Sequence, residues 1–378
     1  MKKIEKLQVW YEDRQVGTLA ETRDKKVAFE YTEEWLRNGF SISPFSLPLE
    51  KGVFVPTKSY FQGLFGVFAD SLPDAWGNIL VNRMLTQNGI SLDAVTPLMR
   101  LAIVGESGMG ALTYRPEYSM KQEIKHLSLD RLAMDCNKIL QSKESDSLDE
   151  LFCLGGTSGG ARPKVMMRIE DEEWLIKFPA HFDVSECGKM EYDYSVCARK
   201  CGIPMTETRL FPSERCWGYF GTKRFDRVDG KRIHMITASA LLELDFTIPS
   251  FDYHSLMKLT KILTRDSKMD VESMYRRMCF NVFAHNRDDH GKNFAFLYDE
   301  EQDMWKLSPA YDLTYSNTYF GEHTTFVDGN GVNPTVKNLL AVGVGAGLSR
   351  KRCSDVLEEV KRCVETDLKE YLEDSHGL

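Results

Sequence analysis

Long hydrophobic runs are missing from this sequence. The apolar stretch at 101–104 is followed by Gly105 and Glu106, whereas a transmembrane helix needs about 18 or more consecutive apolar residues. A signal peptide is not expected either, because Glu5 and Glu12 interrupt the N-terminal segment where it would need an unbroken apolar run. We therefore expect a cytoplasmic protein without membrane association.

An excess of basic residues is also missing. The chain has 56 acidic and 48 basic side chains, which give a formal net charge of −8. A net negative charge argues against a protein that binds nucleic acid through its overall electrostatic field. The sequence has no recognition-helix pattern, so we do not expect the chain to bind DNA alone.

Paired CxxC motifs are missing among the nine cysteines. An odd number of cysteines without such pairs is unlike a secreted disulfide scaffold or a zinc ribbon. Cys197 and Cys201 lie four residues apart on a predicted helix, but no histidine pair is near them in the sequence. Packing of this helix explains them better than metal binding, and we expect reduced thiols.

What the sequence does contain is the composition of a soluble globular protein, with 42% hydrophobic and 28% charged residues. Its length allows about two or three domains. Alternation of apolar and polar residues predicts short strands within 7–31, and three- and four-residue spacing predicts helix within 61–85, with Pro73 starting its second half. We predict strand with glycine turns at 100–114 and a boundary near 118.

A second β-rich region is predicted after this boundary. Helical periodicity at 127–142 leads to the apolar segment 151–154, which we predict as a strand before a glycine-rich turn. A hairpin turning at the acidic residues 170–173 follows, then a helix that ends at Gly202. Beyond 238 we predict mainly helical structure.

The strongest functional pattern is NRDDHGKNFAFLYDEEQDMWKLSPAYD at 286–312. The catalytic loop of a protein kinase needs an Asp that orients and deprotonates the attacking hydroxyl, and an Asn five residues later that holds magnesium. Asp288 and Asn293 have this spacing, and Asp289 does not. A predicted hairpin then delivers Asp312 as a second metal ligand. The structural alternative is that these aspartates only cap a loop and a helix.

Two further features favour phosphate chemistry. GGTSGGARPK at 155–164 has successive glycines, which allow backbone N–H groups to close on phosphate oxygens, although hairpin turns use the same residues. No GK[ST] follows, which disfavours an ordinary P-loop NTPase. Lys177 lies on the next predicted strand, where a kinase places its phosphate-binding lysine; the alternative is a surface lysine.

In combination, the segments GGTSGGARPK, LIKFP, TKRFDR, NRDDHGKNF and PAYDL resemble the HipA family of bacterial serine/threonine kinases, the toxins of toxin–antitoxin pairs. The DxHxKN motif followed by YD is the most specific part. The resemblance extends over nearly the whole chain, because GVFADSLPDAWG and VGESGMGAL resemble the family's N-terminal subdomain and VNPTVKNLLAVGVGAGLS its C-terminal helices.

This resemblance implies an α+β fold with the two lobes of a protein kinase, a β-rich N-lobe and a mainly helical C-lobe, and with an additional N-terminal β-rich subdomain. We place the N-terminal subdomain at 1–118, the N-lobe with the Gly-rich loop at 119–225 and the helical C-lobe with the catalytic loop at 226–378.

The resemblance also assigns roles to residues at matching positions. Asp288 corresponds to the catalytic base, Asn293 and Asp312 to the magnesium ligands, and Lys177 to the lysine that contacts the phosphates of ATP. ATP and Mg²⁺ are the implied cofactors. The further nucleotide-binding residues that it implies are Gly159, Gly160, Ala161, Arg162, Pro163, Lys164, Lys223, Arg224, Phe225, His290, Gly291, Lys292 and Tyr311.

The Gly-rich loop departs from the family pattern. Where the family has one regulatory Ser at the start of S-x-x-G-A-Q-x-K, this chain has Thr157 with Ser158 beside it, and Arg162 replaces the Gln. Both Thr157 and Ser158 are candidate autophosphorylation sites.

The resemblance implies a protein substrate, for which an aminoacyl-tRNA synthetase is a candidate, and a helix-turn-helix antitoxin as partner. Two alternatives stay open. One is a kinase-shaped module that binds an antitoxin and supports repression with weak or no phosphotransfer. The other is a kinase of small molecules or lipids. The intact set of Asp288, Asn293, Asp312 and Lys177 argues against the first alternative but does not identify the acceptor.

Overall fold

The computed structural model of the protein describes residues 3–118, 127–143, 145, 147–156, 159–180, 183–245, 248, 251–318 and 321–373. The chain forms two compact units. Unit 1 consists of Met1–Gly188, Phe211–Ile236 and Ala240–Leu244, and unit 2 consists of Lys189–Leu210, Thr237–Ser239 and Asp245–Leu378. The domain boundaries predicted near 118 and 225 stay predictions.

Within these ranges the strands are β1 (Lys6–Tyr11), β2 (Arg14–Glu21), β3 (Val27–Tyr31), β4 (Val53–Phe54), β5 (Leu112–Arg115), β6 (Lys164–Ile169), β7 (Glu172–Lys177), β8 (Thr208–Phe211), β9 (Tyr219–Lys223), β10 (Arg227–Val228), β11 (Lys231–Arg232), β12 (Met235–Thr237), β13 (Phe251–Asp252), β14 (Ala295–Asp299), β15 (Met304–Leu307) and β16 (Thr325–Phe326).

The α-helices are α1 (Glu33–Asn38), α2 (Gly66–Ala69), α3 (Ala75–Gln87), α4 (Pro97–Val104), α5 (Leu129–Leu140), α6 (Leu148–Gly155), α7 (Cys187–Lys200), α8 (Ala238–Leu241), α9 (Tyr253–Leu263), α10 (Lys268–Phe283), α11 (Val336–Gly345), α12 (Arg350–Asp367) and α13 (Lys369–Glu373). Single 3-10 turns occupy Leu92–Ala94 and Gly291–Asn293.

Unit 1 begins with an antiparallel sheet in the order β4-β3-β2-β1-β5. Along β1, Leu7 and Val9 are buried while Lys6 and Gln8 are exposed, as the two-residue period of a strand dictates. The strands predicted within 7–31 are therefore present as β1, β2 and β3. Pro73 lies just before α3, so the second half of the predicted helix at 61–85 does start there.

Two segments predicted as strands are helical instead. Residues 100–104 belong to α4, so only the end of the predicted strand at 100–114 is extended, and 151–154 belong to α6. At the start of α4, the Thr96 hydroxyl accepts the N–H of Met99 and Pro97 occupies the first helical position. Both segments are short and mostly apolar, and periodicity cannot separate strand from helix in such runs.

A second antiparallel sheet of unit 1 contains β6, β7 and β9. The predicted hairpin is present, and Glu170 and Asp171 at its turn have φ of +52° and +66°, as a two-residue hairpin turn requires. The core against this sheet includes Trp174 and Trp76, both fully buried. The Trp76 Nε1 donates to the Lys164 carbonyl at 3.1 Å, which anchors α3 to the first residue of β6.

Unit 2 is mainly helical, and α9, α11 and α12 pack on α10. Buried residues lie on almost every side of α10, which makes it the central helix of this unit. After it, β14 and β15 form an antiparallel hairpin in which Phe296 pairs with Leu307. The Ser308 N–H donates to the Ala295 carbonyl at 3.0 Å. The segments that carry Asn293 and Asp312 therefore meet at the same end of the hairpin.

Three general features follow from the described part of the chain. All nine cysteines are thiols. None of the helices that the structure describes is long and apolar enough to cross a membrane. Nor do three or more His, Cys, Asp or Glu side chains come together as a metal cluster within the described residues.

Candidate active site

The predicted catalytic loop follows α10 in unit 2 and ends in the 3-10 turn Gly291–Asn293. The Asn293 side-chain amide donates to the Asp288 carbonyl at 2.7 Å, so the two ends of the DxHxKN motif are held together. The Asp288 side chain is 55% exposed, and the His290 Nε2 lies 3.7 Å from its Oδ1. The Asp288 carboxylate is thus accessible to a substrate hydroxyl, as a general base must be.

The return strand of the β14–β15 hairpin is tied to this loop. The Tyr311 hydroxyl donates to the Lys292 carbonyl at 2.5 Å. The next residue, Asp312, has a φ of +56°, in the left-handed region where Asp and Asn are the commonest residues after glycine. A Cβ at Gly291 would lie 3.2 Å from the Ser239 nitrogen, so this turn also needs a small residue.

The donor atoms of this loop suit magnesium. Because the Asn293 amide nitrogen donates to the Asp288 carbonyl, the atom that this side chain presents to a cation is its Oδ1. An amide oxygen and the Asp312 carboxylate are hard oxygen ligands, and Mg²⁺ usually needs only one or two carboxylates when substrate phosphates complete its shell. The residues therefore fit the implied ion without a larger carboxylate cluster.

The Gly-rich loop of unit 1 joins α6 to β6. Gly160 has a φ of +82°, which glycine adopts without strain. Its N–H donates to the Asp74 carboxylate at 2.9 Å, and its carbonyl accepts the N–H of Trp76 at 3.3 Å. Lys164 is buried, and its ammonium group donates to the Gly159 carbonyl. The loop amide is thus already placed against an anionic group.

The other loop residues have partners within unit 1 as well. The Arg162 guanidinium pairs with Asp183 at 3.0 Å, and the Pro163 carbonyl accepts the N–H of Phe178 at 2.8 Å. The candidate autophosphorylation residues Thr157 and Ser158 lie outside the described residues.

Lys177 and the predicted adenine-binding segment lie on neighbouring strands of unit 1. Lys177 ends β7, and its Nζ is 5.8 Å from the centre of the Phe220 ring. Lys223 ends β9, and its ammonium lies 2.6 Å from Glu172. The Arg224 N–H donates to the Glu173 carbonyl at 2.8 Å.

No pattern in the sequence predicts the ionic cluster around Asp226, although its segment TKRFDR is part of the family resemblance. The buried Asp226 carboxylate accepts two hydrogen bonds from Arg224, at 2.9 and 2.8 Å, one from Arg227 at 2.8 Å and one from the Gly110 N–H at 2.8 Å. Burial alone would raise the pKa of Asp226, but the guanidinium groups outweigh burial and hold it far below the ordinary value.

This cluster joins the predicted adenine-binding segment to the loop at 105–110. Arg227 donates to the carbonyls of Gly108 and Gly110, at 2.8 and 2.9 Å, and Arg232 donates to the same two carbonyls. Burial lowers the pKa of Arg227 to about 9. The partners are more than a hundred residues apart, so no local sequence signal predicts the contact.

Asp289, which lacks the five-residue spacing to Asn293, is completely buried and accepts hydrogen bonds from other parts of unit 2. A carboxylate in this position is not accessible to a substrate hydroxyl. The Asp288 side chain is exposed whereas that of Asp289 is not, and the assignment of Asp288 as the base stays a prediction.

Comparison with known proteins relates most of the chain to one family. Residues 7–115 match the HipA N-terminal domain, and residues 156–368 match the HipA-like C-terminal domain. A curated relative, the putative kinase Y4mE of Sinorhizobium fredii (strain NBRC 101917 / NGR234), is 24% identical over 400 residues, which cover 95% of this chain and 90% of the relative.

A solved structure has the same fold. It is HipA of the Shewanella oneidensis MR-1 toxin–antitoxin system, in a complex with HipB and its operator DNA. The TM-score is 0.72 at 17% identity, over 97% of this chain and 90% of that chain, which confirms the predicted fold class. Because the HipA-like C-terminal domain alone accounts for more than half of the sequence, this protein belongs to the HipA family.

Proposed function

We propose that this protein is an ATP- and Mg²⁺-dependent serine/threonine protein kinase of the HipA type. The observation that carries the proposal is the catalytic loop, in which an exposed Asp288 is held through its carbonyl by Asn293, five residues later. Tyr311, the residue before Asp312, donates a hydrogen bond to the Lys292 carbonyl of this loop, which supports a role for Asp312 beside it. The name of the curated relative, a putative kinase, supports the same activity.

The described residues would perform two tasks, nucleotide binding and magnesium binding. In unit 1, the loop Gly159–Lys164, Lys177 and the backbone of Lys223–Phe225 would bind the nucleotide. In unit 2, Asn293 and Asp312 would hold Mg²⁺, which when bound neutralises charge on the phosphates. The acceptor oxygen bonds to the γ-phosphorus as the bond to ADP breaks, and Asp288 orients the hydroxyl and takes its proton. Catalysis is then mostly positioning and electrostatic stabilisation.

We further propose a protein as the acceptor, with an aminoacyl-tRNA synthetase as a candidate, and a helix-turn-helix antitoxin as the partner. The HipA structure from Shewanella includes HipB and operator DNA, which supports such a partner. The net charge of −8 gives this chain little attraction for DNA by itself, so the partner would supply the DNA contacts.

The decisive experiment compares wild type with Asp288→Asn. The substitution keeps the shape of the side chain and removes its basicity, so phosphoryl transfer should be abolished while ATP binding is retained. Phosphoryl transfer is measured by the label that passes from γ-labelled ATP to the chain and to lysate proteins. ATP binding is measured by calorimetry. Phosphopeptides that appear after induction of wild type but not of Asp288→Asn identify the substrate.

Asp303→Asn is the matched control, because Asp303 is exposed at the turn of the same hairpin, away from the catalytic loop. It should transfer phosphate like wild type. If neither wild type nor Asp303→Asn transfers phosphate while both still bind an antitoxin, the kinase proposal is wrong. The chain would then be the antitoxin-binding module. Transfer to small molecules or lipids but to no protein would contradict the protein acceptor.

We also propose autophosphorylation at Thr157 or Ser158 as an off switch. A phosphate adds about −1.5 to −2 charges at neutral pH and would compete with the γ-phosphate for the N–H groups of the Gly-rich loop. Intact-mass and peptide spectra after incubation with ATP test this. If a protein with Asp288 intact phosphorylates a substrate but gains no phosphate at either residue, the proposed off switch is wrong. The kinase proposal is not affected by that result.

A further inference from the structure

Asp289 is 0% exposed, although it follows the exposed Asp288 directly. Its Oδ2 accepts hydrogen bonds from the Tyr253 hydroxyl at 2.8 Å and from the His323 Nδ1 at 3.0 Å. Its Oδ1 accepts the Thr325 N–H at 3.1 Å. A carboxylate only accepts hydrogen bonds, so the His323 Nδ1 acts as the donor in this contact.

The three donors come from segments 34 to 36 residues away in the chain. Tyr253 begins α9, directly after β13, and Thr325 begins β16, which pairs with β13 in parallel. His323 lies just before β16. Asp289 therefore ties the catalytic loop to a helix and to the segment that follows Asp312.

The hydrogen bonds continue through Tyr253 and return to the catalytic loop. The Tyr253 hydroxyl accepts a hydrogen bond from the Asn281 amide at 2.9 Å, and the Asn281 side-chain oxygen accepts one from the Asn286 amide at 2.9 Å. All these side chains are buried in unit 2. The network thus holds the loop at two points, Asn286 and Asp289, on either side of Asp288.

The backbone is fixed on both sides of Asp288 as well. The Arg287 carbonyl accepts the Thr324 N–H at 3.0 Å and the Thr324 hydroxyl at 3.1 Å. The Asp289 carbonyl accepts the Thr325 hydroxyl. Two consecutive threonines therefore bind the residues before and after Asp288.

We propose that Asp289 is a positioning residue for phosphoryl transfer, which sets the location of Asp288 through its bonds to Tyr253, His323 and Thr325. This inference rests on the proposed function, because it assigns the purpose of Asp289 to the reaction of its neighbour. Asp289 does not touch the reacting atoms. It keeps the base within the narrow geometry that a transfer step requires.

Two variants perturb the network in different ways. Asp289→Asn replaces one accepting oxygen by an amide, which would face either the Thr325 N–H or the donors of Tyr253 and His323. Tyr253→Phe keeps the ring and removes one donor to Asp289. The control is Tyr298→Phe, which removes a hydroxyl-to-carboxylate hydrogen bond, to Asp303, on the β14–β15 hairpin of the same unit.

Positioning predicts a loss in kcat and not in nucleotide binding. Asp289→Asn should lower kcat by about 100-fold, and Tyr253→Phe by about 10-fold, with the Kd for ATP within about 3-fold of wild type. The double variant should lose less than the product of the single losses, because both act on one network. Unchanged kcat, or equal losses in kcat, ATP affinity and thermal midpoint, would overturn the inference. If Asp289→Asn does not fold, Tyr253→Phe decides.

Amide hydrogen exchange separates this inference from the proposed function. If neither wild type nor Tyr298→Phe transfers phosphate, the kinase proposal has failed. The positioning of the loop is then judged by exchange at 286–290. Faster exchange there in Tyr253→Phe than in Tyr298→Phe supports the network, and equal exchange overturns it.

Discussion

Asp312 combines a predicted metal-binding carboxylate with a left-handed backbone, with φ of +56°. An alanine at this position would change both, because it lacks the short polar side chain whose local hydrogen bonds let Asp and Asn adopt this conformation. Asn tolerates the conformation and removes only the charge. For this reason Asp312→Asn is a cleaner test of metal binding than Asp312→Ala.

We predict that Asp312→Asn weakens ATP binding by about tenfold or more in the presence of Mg²⁺, because a charged ligand of the ion is lost. Without Mg²⁺ its affinity should equal that of wild type. Calorimetry with and without a chelator measures both affinities. Asp303→Asn, which also has a positive φ, +47°, should behave like wild type. A magnesium effect of equal size in Asp312→Asn and wild type would remove Asp312 from the metal site.

At single residues, the sequence predicts what depends on local spacing. Asp288 and Asn293 are five residues apart, which predicts that both belong to one catalytic loop, and the Asn293 side chain does bind the Asp288 carbonyl. The burial of Asp289 depends on Tyr253 and Thr325, which are 36 residues away. Burial and hydrogen-bond partners of this kind arise only on folding. The sequence therefore shows that Asp289 fits the base position less well than Asp288, but it does not predict that Asp289 is buried.

For helices and strands, the limit is the length of the pattern. The alternation in β1 and in β7, the second strand of the β6–β7 hairpin, is visible because each of these two strands has a polar and an apolar side. In α4, six of eight residues are buried, and the segment therefore has no polar face to reveal the helical period. Only its capping residues, Thr96 and Pro97, mark it as a helix.

The connection between β9 and β10 depends on the Asp226 cluster. We predict that Asp226→Asn destabilises unit 1 by roughly 3–5 kcal/mol, because it leaves buried guanidinium groups without their carboxylate. Urea unfolding measures the loss. The control is Asp229→Asn, three residues later in the exposed turn between β10 and β11. It should change stability by no more than about 0.5 kcal/mol. Equal stability of the two variants would show that the cluster contributes nothing net.

For the chain as a whole, the match to family domains over 7–115 and 156–368 agrees with a resemblance based on a few short motifs. Composition and charge exclude classes of protein but cannot select a fold. The motifs succeed because phosphoryl transfer fixes the residue types and their order along the chain. They say nothing of how stability changes with pH, which depends on groups that only the folded chain buries.

His234 is such a group. It is buried in unit 1, and its Nε2 lies 2.9 Å from the carbonyl of Ile42, which is 192 residues away. Burial lowers its pKa from the ordinary 6.5 to about 4. Between these values the unfolded chain binds a proton that the folded chain does not. His234 therefore stabilises the fold fully above pH 6.5, and this contribution is lost as the pH falls toward 4.

We predict that protonation linked to His234 removes roughly 3 kcal/mol of stability between neutral pH and pH 4. His234→Gln keeps a donor for the Ile42 carbonyl and does not titrate. It should be less stable than wild type at pH 7 but lose less stability on acidification, as urea unfolding at several pH values will measure. His254→Gln is the control, because the His254 side chain is 43% exposed and its contact with Asp328 is a surface pair, which contributes little to stability. Its stability should fall with pH as in wild type. An equally steep fall in His234→Gln would place the acid sensitivity in other groups of the fold.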